Sequence, residues 1–210
     1  KKLSVKQLVF CAMSIALGTV LSNIKLFHFP TGGSITLLSM LVICLPGYWF
    51  GLGVGIIING QPLHGMLHPE AGHVPMIRHP KDKDFKCNCP FHVSCMEGLC
   101  AGPAIEARWG KPAKELADNP LVWEIEAYYL AQGIVDYILT VSPRRIVLGG
   151  GVMHQEHLLP LIKQNVKEIL NDYLQTKELA DLDSYIVLAS LNDDQGIMGC
   201  LKIAMNSLGI

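Results

Sequence analysis

The first third of the chain contains no acidic side chain. All 18 aspartate and glutamate residues lie at Glu70 or beyond, and the charged side chains before that position are lysines alone: Lys1, Lys2, Lys6 and Lys25. An amphipathic helix of a soluble domain needs a polar face, and residues 8–20 offer almost none. The absence therefore divides the chain into a membrane-type first third and a remainder with the composition of a soluble domain.

The chain also has no excess of basic residues, since it contains 17 lysine and arginine residues and 18 acidic residues, and its formal net charge is −1. Nucleic-acid binding needs a basic surface to neutralise phosphates, so nucleic acid is excluded as a main partner. Seven cysteines are present, but no stretch has the pattern of a cleavable signal peptide, and we expect no disulfide framework. A reduced, cytoplasm-facing compartment with metal-bound thiolates fits better.

Two uncharged apolar stretches, residues 8–24 and 35–58, are long enough to be candidate membrane spans. The basic start KKLSVK would stay cytoplasmic by the positive-inside rule. The sequence therefore predicts two apolar transmembrane helices and membrane association through residues 8–58 if the segment inserts. The alternative is a buried core helix followed by a buried strand.

This apolar segment resembles part of a known protein family. KQLVFCAMSIALGTVLSNIKLF and FPTGGSITLLSMLVICLPGYWFGLGVG are similar to the start of the thiamine-specific substrate-binding subunit of energy-coupling-factor transporters. In that family a first-helix pattern of small residues docks onto the coupling subunit, and Ala12 and Ala16 match it. The resemblance covers about residues 1–55, or two of six helices, and implies as one alternative function a truncated thiamine-binding membrane subunit.

The remainder alternates helical and strand patterns. GLGVGIIINGQPLHG predicts a glycine turn, a short strand and a second turn, as in a hairpin. Helical spacing predicts helices over residues 121–140, 158–174 and 195–208, and short apolar runs predict strands at IVLGGGV and over residues 185–190. Helices alternating with strands in this way indicate an α/β layer with a parallel sheet.

Three soft metal ligands lie close together in Cys89-x-x-His92-x-x-Cys95. A tetrahedral zinc site needs four ligands, and the candidates for the fourth are His73, His79 and Cys87. Residues 80–90 have no helical or strand period, so the metal would organise this loop. No open coordination position is implied, which predicts a structural zinc; the alternative is a set of reduced cysteines without metal.

Two further features could contact ligands. Gly149, Gly150 and Gly151 follow a predicted strand, where a backbone without side chains lets a nucleotide approach; a tight turn that needs positive φ is the alternative. Glu70 and Glu97 flank the predicted zinc loop and could accept hydrogen bonds from paired sugar hydroxyls. The alternative for these carboxylates is a solvated surface position.

NGQPLHGMLHPEAGH, CPFHVSCMEGLCAGPAIEARWG, IVLGGGVM and NDDQGIMGC together closely resemble the fructokinases of the ROK (repressor, open reading frame, kinase) family over about residues 51–205. The resemblance implies the C-terminal lobe of an actin-like, ribonuclease-H-like sugar kinase that uses ATP with Mg²⁺ to phosphorylate a hexose, most readily fructose. It implies zinc on His73, Cys89, His92 and Cys95, leaving Cys87 as a spare thiol. It also implies sugar contacts at Glu70, His73 and Glu97 and an ATP contact at Gly149, Gly150 and Gly151.

The D-x-G-x-T-K phosphate motif and the catalytic aspartate of such kinases do not occur before Asp82. Phosphoryl transfer depends on a positioned nucleophile and neutralised phosphates, so we expect no active kinase from this polypeptide alone. The predicted organisation is an apolar segment over residues 1–50, joined near residue 51 to a cytoplasmic kinase-like portion over residues 51–210 with a zinc loop over 73–95. A third interpretation is an interaction protein that keeps the zinc loop and forms a homodimer without catalysis.

Overall fold

The computed structural model describes residues 52–191 and, ahead of them, the backbone of two short strands. The chain divides into two compact units, Lys1–Phe50 with Asp193–Ile210, and Gly51–Asn192. In the first unit, β1 (Phe27–His28) pairs antiparallel with β2 (Ser34–Ile35). These strands enclose the turn-rich segment that separates the two apolar stretches.

The predicted membrane segment lies almost entirely outside the described residues. The same is true of the closing helix predicted over residues 195–208 and of the transporter-like pattern around Ala12 and Ala16. Within the described part of the chain, no helix is both long and apolar enough to cross a bilayer. The second apolar stretch does not continue as a helix to its end, because its last two residues form a strand, β3 (Ile57–Ile58).

The predicted hairpin is confirmed. Strand β3 pairs antiparallel with β4 (Gln61–Pro62), with Ile57 opposite Pro62 and Ile58 opposite Gln61. The two residues between the strands, Asn59 and Gly60, have φ values of 52° and 77°. Asn-Gly suits a two-residue hairpin because both positions of a type I′ turn require positive φ.

Three helices form the centre of the second unit: α1 (Met96–Cys100), α2 (Gly102–Trp109) and the long α3 (Pro120–Val141). Asn119 caps α3 by accepting a hydrogen bond from the Leu121 amide, and Pro120 occupies the first helical position. The helix ends at Ser142, whose φ of 48° breaks the helical repeat. The helix predicted over residues 121–140 is confirmed to within one residue at each end.

The parallel layer is also confirmed. Strand β5 (Ile146–Leu148) pairs in parallel with β6 (Ile186–Leu188), and α4 (Leu158–Leu170) lies in the connection, followed by short helices α5 (Lys177–Ala180) and α6 (Leu182–Tyr185). Helix α4 ends four residues before its predicted limit because Asn171 and Asp172 adopt positive φ.

Helices α3 and α4 pack face to face and supply much of the core. Helix α4 buries one stripe at helical spacing: Leu158, Ile162, Val166 and Leu170. Each such side chain contributes about 1.5–3 kcal/mol on burial. Helix α3 differs because buried side chains surround most of it, among them Trp123, Ile125, Tyr129 and Ile134. Helix α3 is therefore the element against which the loops of this unit pack.

Candidate functional site

A 3₁₀ turn, Ala71–His73, follows Glu70 and presents His73. The His73 amide donates to the Glu70 carbonyl at 2.9 Å, which closes the turn. Gly72 lies directly against the Leu52 carbonyl, and a Cβ at this position would collide with that backbone oxygen. The Leu52 amide in turn donates to Glu97 Oε2 at 3.3 Å. The turn is therefore fixed beside α1, while Glu70 itself remains exposed at the start of the turn.

Four soft ligands converge next to this turn: His73, Cys89, His92 and Cys95, whose ligand atoms all lie within 4.8 Å of one another. Cys89 Sγ is 3.3 Å from His92 Nδ1 and 3.9 Å from His73 Nδ1, and Cys95 Sγ is 3.7 Å from His73 Nδ1. A tetrahedral zinc with ordinary Zn–S and Zn–N bonds has ligand–ligand edges of about 3.3–3.8 Å. The donor set and spacing therefore fit Zn²⁺.

The imidazole of His73 connects this cluster to Glu97. Its Nδ1 points toward the two thiols, while its Nε2 lies 3.8 Å from Glu97 Oε2. Metal-ligating histidines commonly direct their second ring nitrogen at a carboxylate, which fixes the tautomer and the ring orientation. Two side chains predicted to contact sugar, His73 and Glu97, are thus brought together. Both remain about a quarter exposed, so a ligand can reach them.

Cys95 lies at the junction of the loop and α1. It is fully buried, adopts extended backbone at the helix N-cap, and its sulfur accepts from the Gly98 amide at 3.4 Å. Burial raises the pKa of the Cys95 thiol to about 12, and neighbouring thiols add to this effect. A cation in the cluster would reverse that preference, because a coordinated thiol loses its proton.

The loop is closed at its base by a short antiparallel contact. Pro75 lies opposite Cys95, and the Met76 and Met96 amides donate to the Ser94 and Val74 carbonyls at 3.1 and 3.0 Å. Between these points, residues 80–90 form neither helix nor strand, as predicted. Within the loop, the Asn88 amide also donates to the Gly98 carbonyl on α1 at 2.9 Å, so backbone contacts fix both ends and one point between them, and side-chain contacts hold the rest.

Gly98 on α1 leaves room for the thiols. A Cβ there would overlap Cys87 Sγ and approach both the Cβ and the backbone nitrogen of Cys89 at 2.8 Å. We expect Gly98→Ala to lower the free energy of unfolding by about 1–3 kcal/mol, the usual cost of overpacking, and to weaken metal retention. Chemical denaturation and zinc content measure the two effects. Gly102→Ala is the control, since nothing lies within 4 Å of its added Cβ; equal losses in both variants would refute the prediction.

The other two candidates for the fourth ligand lie outside the four-residue group. His79 is buried elsewhere, where its Nδ1 accepts from the Lys81 amide at 3.2 Å and its Nε2 lies 3.6 Å from Glu124. Burial lowers the pKa of His79, although Glu124 opposes the effect. Cys87 is buried beside Gly98 rather than among the converging ligand atoms.

A buried polar network that the sequence patterns did not indicate holds the middle of the loop. Arg108 Nε on α2 donates to Asp82 Oδ1 at 2.9 Å, and Tyr129 on α3 donates to Asp82 Oδ2 at 2.8 Å. Arg108 also covers the Phe85 ring at 4.2 Å, and Arg78 donates to the Asp82 and Phe85 carbonyls. Breaking one partner of a buried ion pair is costly, so this network fixes the loop against the helices.

Tyr137 on α3 is a second residue that sequence reasoning missed. Its hydroxyl donates to the Ala71 carbonyl at 2.6 Å, in the middle of the turn between Glu70 and His73, and lies 3.2 Å from Met96 Sδ. Burial raises the pKa of Tyr137, so the hydroxyl remains a donor. Nothing in a helical pattern reveals a contact 66 residues away in the chain.

The glycine run lies at the carboxyl end of β5. Gly150 has φ 94° and precedes a 3₁₀ turn, Gly151–His154, and the Met153 amide donates to the Gly150 carbonyl at 3.0 Å. Open space surrounds the Cβ positions of Gly150 and Gly151. The positive φ at Gly150 agrees with the turn interpretation, and among the described residues no atom lies within 4 Å of a Cβ built on Gly150 or Gly151.

Comparison with known proteins gives related sequences for this unit. The sequence profile of the ROK family matches residues 42–207. A Bacillus subtilis protein named "Putative fructokinase" is 48% identical over 159 residues, 75% of this chain and 53% of that protein. A Zymomonas mobilis fructokinase is 45% identical over 157 residues, 74% of this chain and 51% of that protein. The chain spans about half the length of these curated relatives.

The fold is shared with a solved structure at lower identity. The ROK hexokinase from Thermus thermophilus superposes with a TM-score of 0.56 at 22% identity, covering 74% of this chain and 55% of that chain. This likeness supports the predicted actin-like sugar-kinase fold. The profile match extends over most of the chain and includes the converging cysteines and histidines. The chain therefore belongs to the ROK family.

Proposed function

We propose that this chain carries the sugar-binding and metal-binding portion of an ATP-dependent hexose kinase, with fructose as the sugar. The observation that supports the proposal is the placement of Glu97 beside His73, within the segment that resembles fructokinases. The Bacillus subtilis relative is named "Putative fructokinase" and the Zymomonas mobilis relative fructokinase, and we extend that activity to this chain.

Glu97 and His73 would bind sugar hydroxyls from a fixed position. The carboxylate of Glu97 accepts hydrogen bonds, and its Oε2 is already oriented by the Leu52 amide. His73 is held by the turn that Tyr137 and Leu52 fix on either side. Pre-oriented groups bind a sugar with less ordering cost than mobile ones. We assign Glu70, at the exposed start of the same turn, to an outer hydroxyl of the sugar.

We assign Gly149, Gly150 and Gly151 to the nucleotide, because the carboxyl end of a parallel strand is a common nucleotide position. Membership of a kinase family implies ATP with Mg²⁺ as the co-substrate. Bound to His73, Cys89, His92 and Cys95, zinc would act as a structural cross-link of the loop. These four residues would anchor the loop so that His73 and Glu97 keep their relative position.

The proposal is tested by sugar binding, which depends directly on the paired side chains of Glu97 and His73. Calorimetry of the 210-residue chain is expected to detect fructose binding. Glu97→Gln should weaken this binding about tenfold or more, since a hydrogen bond to a charged group contributes about 1.5–3 kcal/mol. Zinc content, measured in parallel, should remain near one per chain, because Glu97 is not one of the four ligands and acts on zinc only by orienting His73.

Glu106→Gln provides a matched control on the neighbouring helix α2, where the side chain is exposed. It removes the same charge and should leave fructose affinity unchanged. Absence of fructose binding by the unaltered chain would overturn the proposal, and so would equal weakening in the two variants. A preference for another hexose would keep the kinase assignment and replace the sugar.

A further inference from the structure

A cleft lies along the loop. It has a volume of about 430 Å³ and is formed around the segment from Lys83 to Ser94, with Arg78 on its border. Cavities of about 300–1,000 Å³ are typical of small-molecule sites. The Phe91 and Val93 side chains are 86% and 92% exposed, so the loop presents apolar groups beside this cleft.

The cleft is cationic. Arg78, Lys83 and Lys86 line it, and no acidic side chain does. Two aspartates flank Lys83 in the sequence: Asp82 is already paired with Arg108 at 2.9 Å, and Asp84 is exposed but does not line the cleft. Neither Lys83 nor Lys86 forms an ion pair with any residue between positions 52 and 191. The two ammonium groups are therefore available to an external anion.

Arg78 adds a buried donor without an acceptor. Its Nη2 donates to the Asp82 and Phe85 carbonyls, but its Nε is shielded from solvent and has no hydrogen-bond partner among the described residues. A buried polar group left unpaired costs about 1–3 kcal/mol. The two carbonyls hold the guanidinium in place, so Arg78 brings a fixed positive charge to the border of the cleft.

We propose that this cleft binds a small phosphorylated molecule through its phosphate group, held by Arg78, Lys83 and Lys86. Phosphate offers several acceptor oxygens and up to two negative charges, which match one guanidinium and two ammonium groups. Cys89 and His92 line the same cleft, so an occupant would also contact the loop that carries two of the candidate zinc ligands. The proposal goes beyond the assigned sugar site and does not depend on sugar phosphorylation.

The test is a calorimetric titration of the full chain with inorganic phosphate at low ionic strength. Saturable binding is expected, and it should weaken as salt is added, because exposed charges are screened. Lys83→Glu combined with Lys86→Glu should weaken binding about tenfold or more, equivalent to about 1.4 kcal/mol. Lys111→Glu combined with Lys114→Glu is the control, since both lysines are exposed and outside the cleft, and should leave affinity unchanged.

A second titration separates the two sources of phosphate, using glucose 6-phosphate with free glucose as its neutral counterpart. If glucose 6-phosphate binds more tightly than inorganic phosphate, and this advantage disappears in the Lys83/Lys86 double variant, the occupant is a phosphorylated sugar. Equal affinities would support a site for the phosphate group alone. Absence of saturable phosphate binding would overturn the proposal, as would equal weakening in both double variants.

Discussion

Replacing Cys95 with serine is expected to remove stoichiometric zinc from the protein and to destabilise the loop around it. Cys95 is fully buried, and its sulfur lies 3.7 Å from His73 Nδ1 within the converging group. A serine hydroxyl at this position is a poor ligand for zinc compared with a thiolate. Because structural zinc supplies about 10–16 kcal/mol to small zinc-dependent folds, loss of one ligand should lower stability by several kcal/mol.

Zinc content by elemental analysis and chelator competition measures the first effect, and denaturant unfolding with and without chelator measures the second. Cys87→Ser is the matched control. Cys87 is also buried and lies two residues from Cys89, but it is outside the four-ligand group. This variant should retain about one zinc per chain. Full zinc retention in Cys95→Ser would contradict the ligand assignment, and zinc loss in Cys87→Ser would place Cys87 in the ligand set.

The sequence could predict the part of the site whose residues lie close together in the chain. Cys89, His92 and Cys95 lie within seven consecutive residues, and this spacing alone indicated a metal loop. The spacing left His73, His79 and Cys87 open as the fourth ligand, and resemblance favoured His73. Of the three candidates, the fold places only His73 among the converging ligand atoms. The ligand assignment itself remains a prediction until zinc is measured.

Long-range contacts could not be predicted, because no periodic pattern encodes them. Tyr137 reaches Ala71 across 66 residues, and Arg108 reaches Asp82 across 26. Helix α3 was predicted from its apolar spacing over residues 121–140, and its bounds were nearly correct. The extent to which α3 is buried was not predictable. An amphipathic pattern assumes that one face of the helix is exposed, whereas most of this helix is buried.

The burial of α3 encloses the acidic side chain of Glu126. Replacing Glu126 with glutamine is expected to stabilise the protein at neutral and alkaline pH. The side chain on α3 is 1% exposed, and neither carboxylate oxygen has a hydrogen-bond partner within the described residues. Burial raises the pKa of Glu126 well above its ordinary 4.5; nearby Arg108 opposes this effect and Asp82 adds to it. The guanidinium of Arg108 is already bound to Asp82 and to the Leu99 carbonyl, so it does not neutralise Glu126 by direct contact.

The sign of the pH effect follows from the raised pKa. In the unfolded chain Glu126 ionises near its ordinary value, while in the folded protein it keeps its proton to higher pH. Between these two pKa values the unfolded state binds fewer protons, so stability falls by about 1.4 kcal/mol per pH unit as pH rises. Glutamine carries no titratable proton and removes this loss. The advantage of Glu126→Gln over the unaltered chain should therefore be small below pH 4.5 and grow with pH above it.

Denaturant unfolding of both proteins from pH 4 to pH 9 measures this difference in stability. Subtracting one stability curve from the other cancels the effect of groups that both proteins share, such as Asp136, whose pKa is also raised by burial. Glu124→Gln is the control on the same helix, because its side chain is 46% exposed and pairs with Lys81 at 2.7 Å. An exposed pair of this kind contributes about 0–1 kcal/mol, so the control should show no growing advantage. A pH-independent difference for Glu126→Gln would mean that the buried carboxyl has the same pKa in both states. In that case a water-filled path or a hydrogen-bond donor must reach the carboxylate, and the enclosed position on α3 would be wrong.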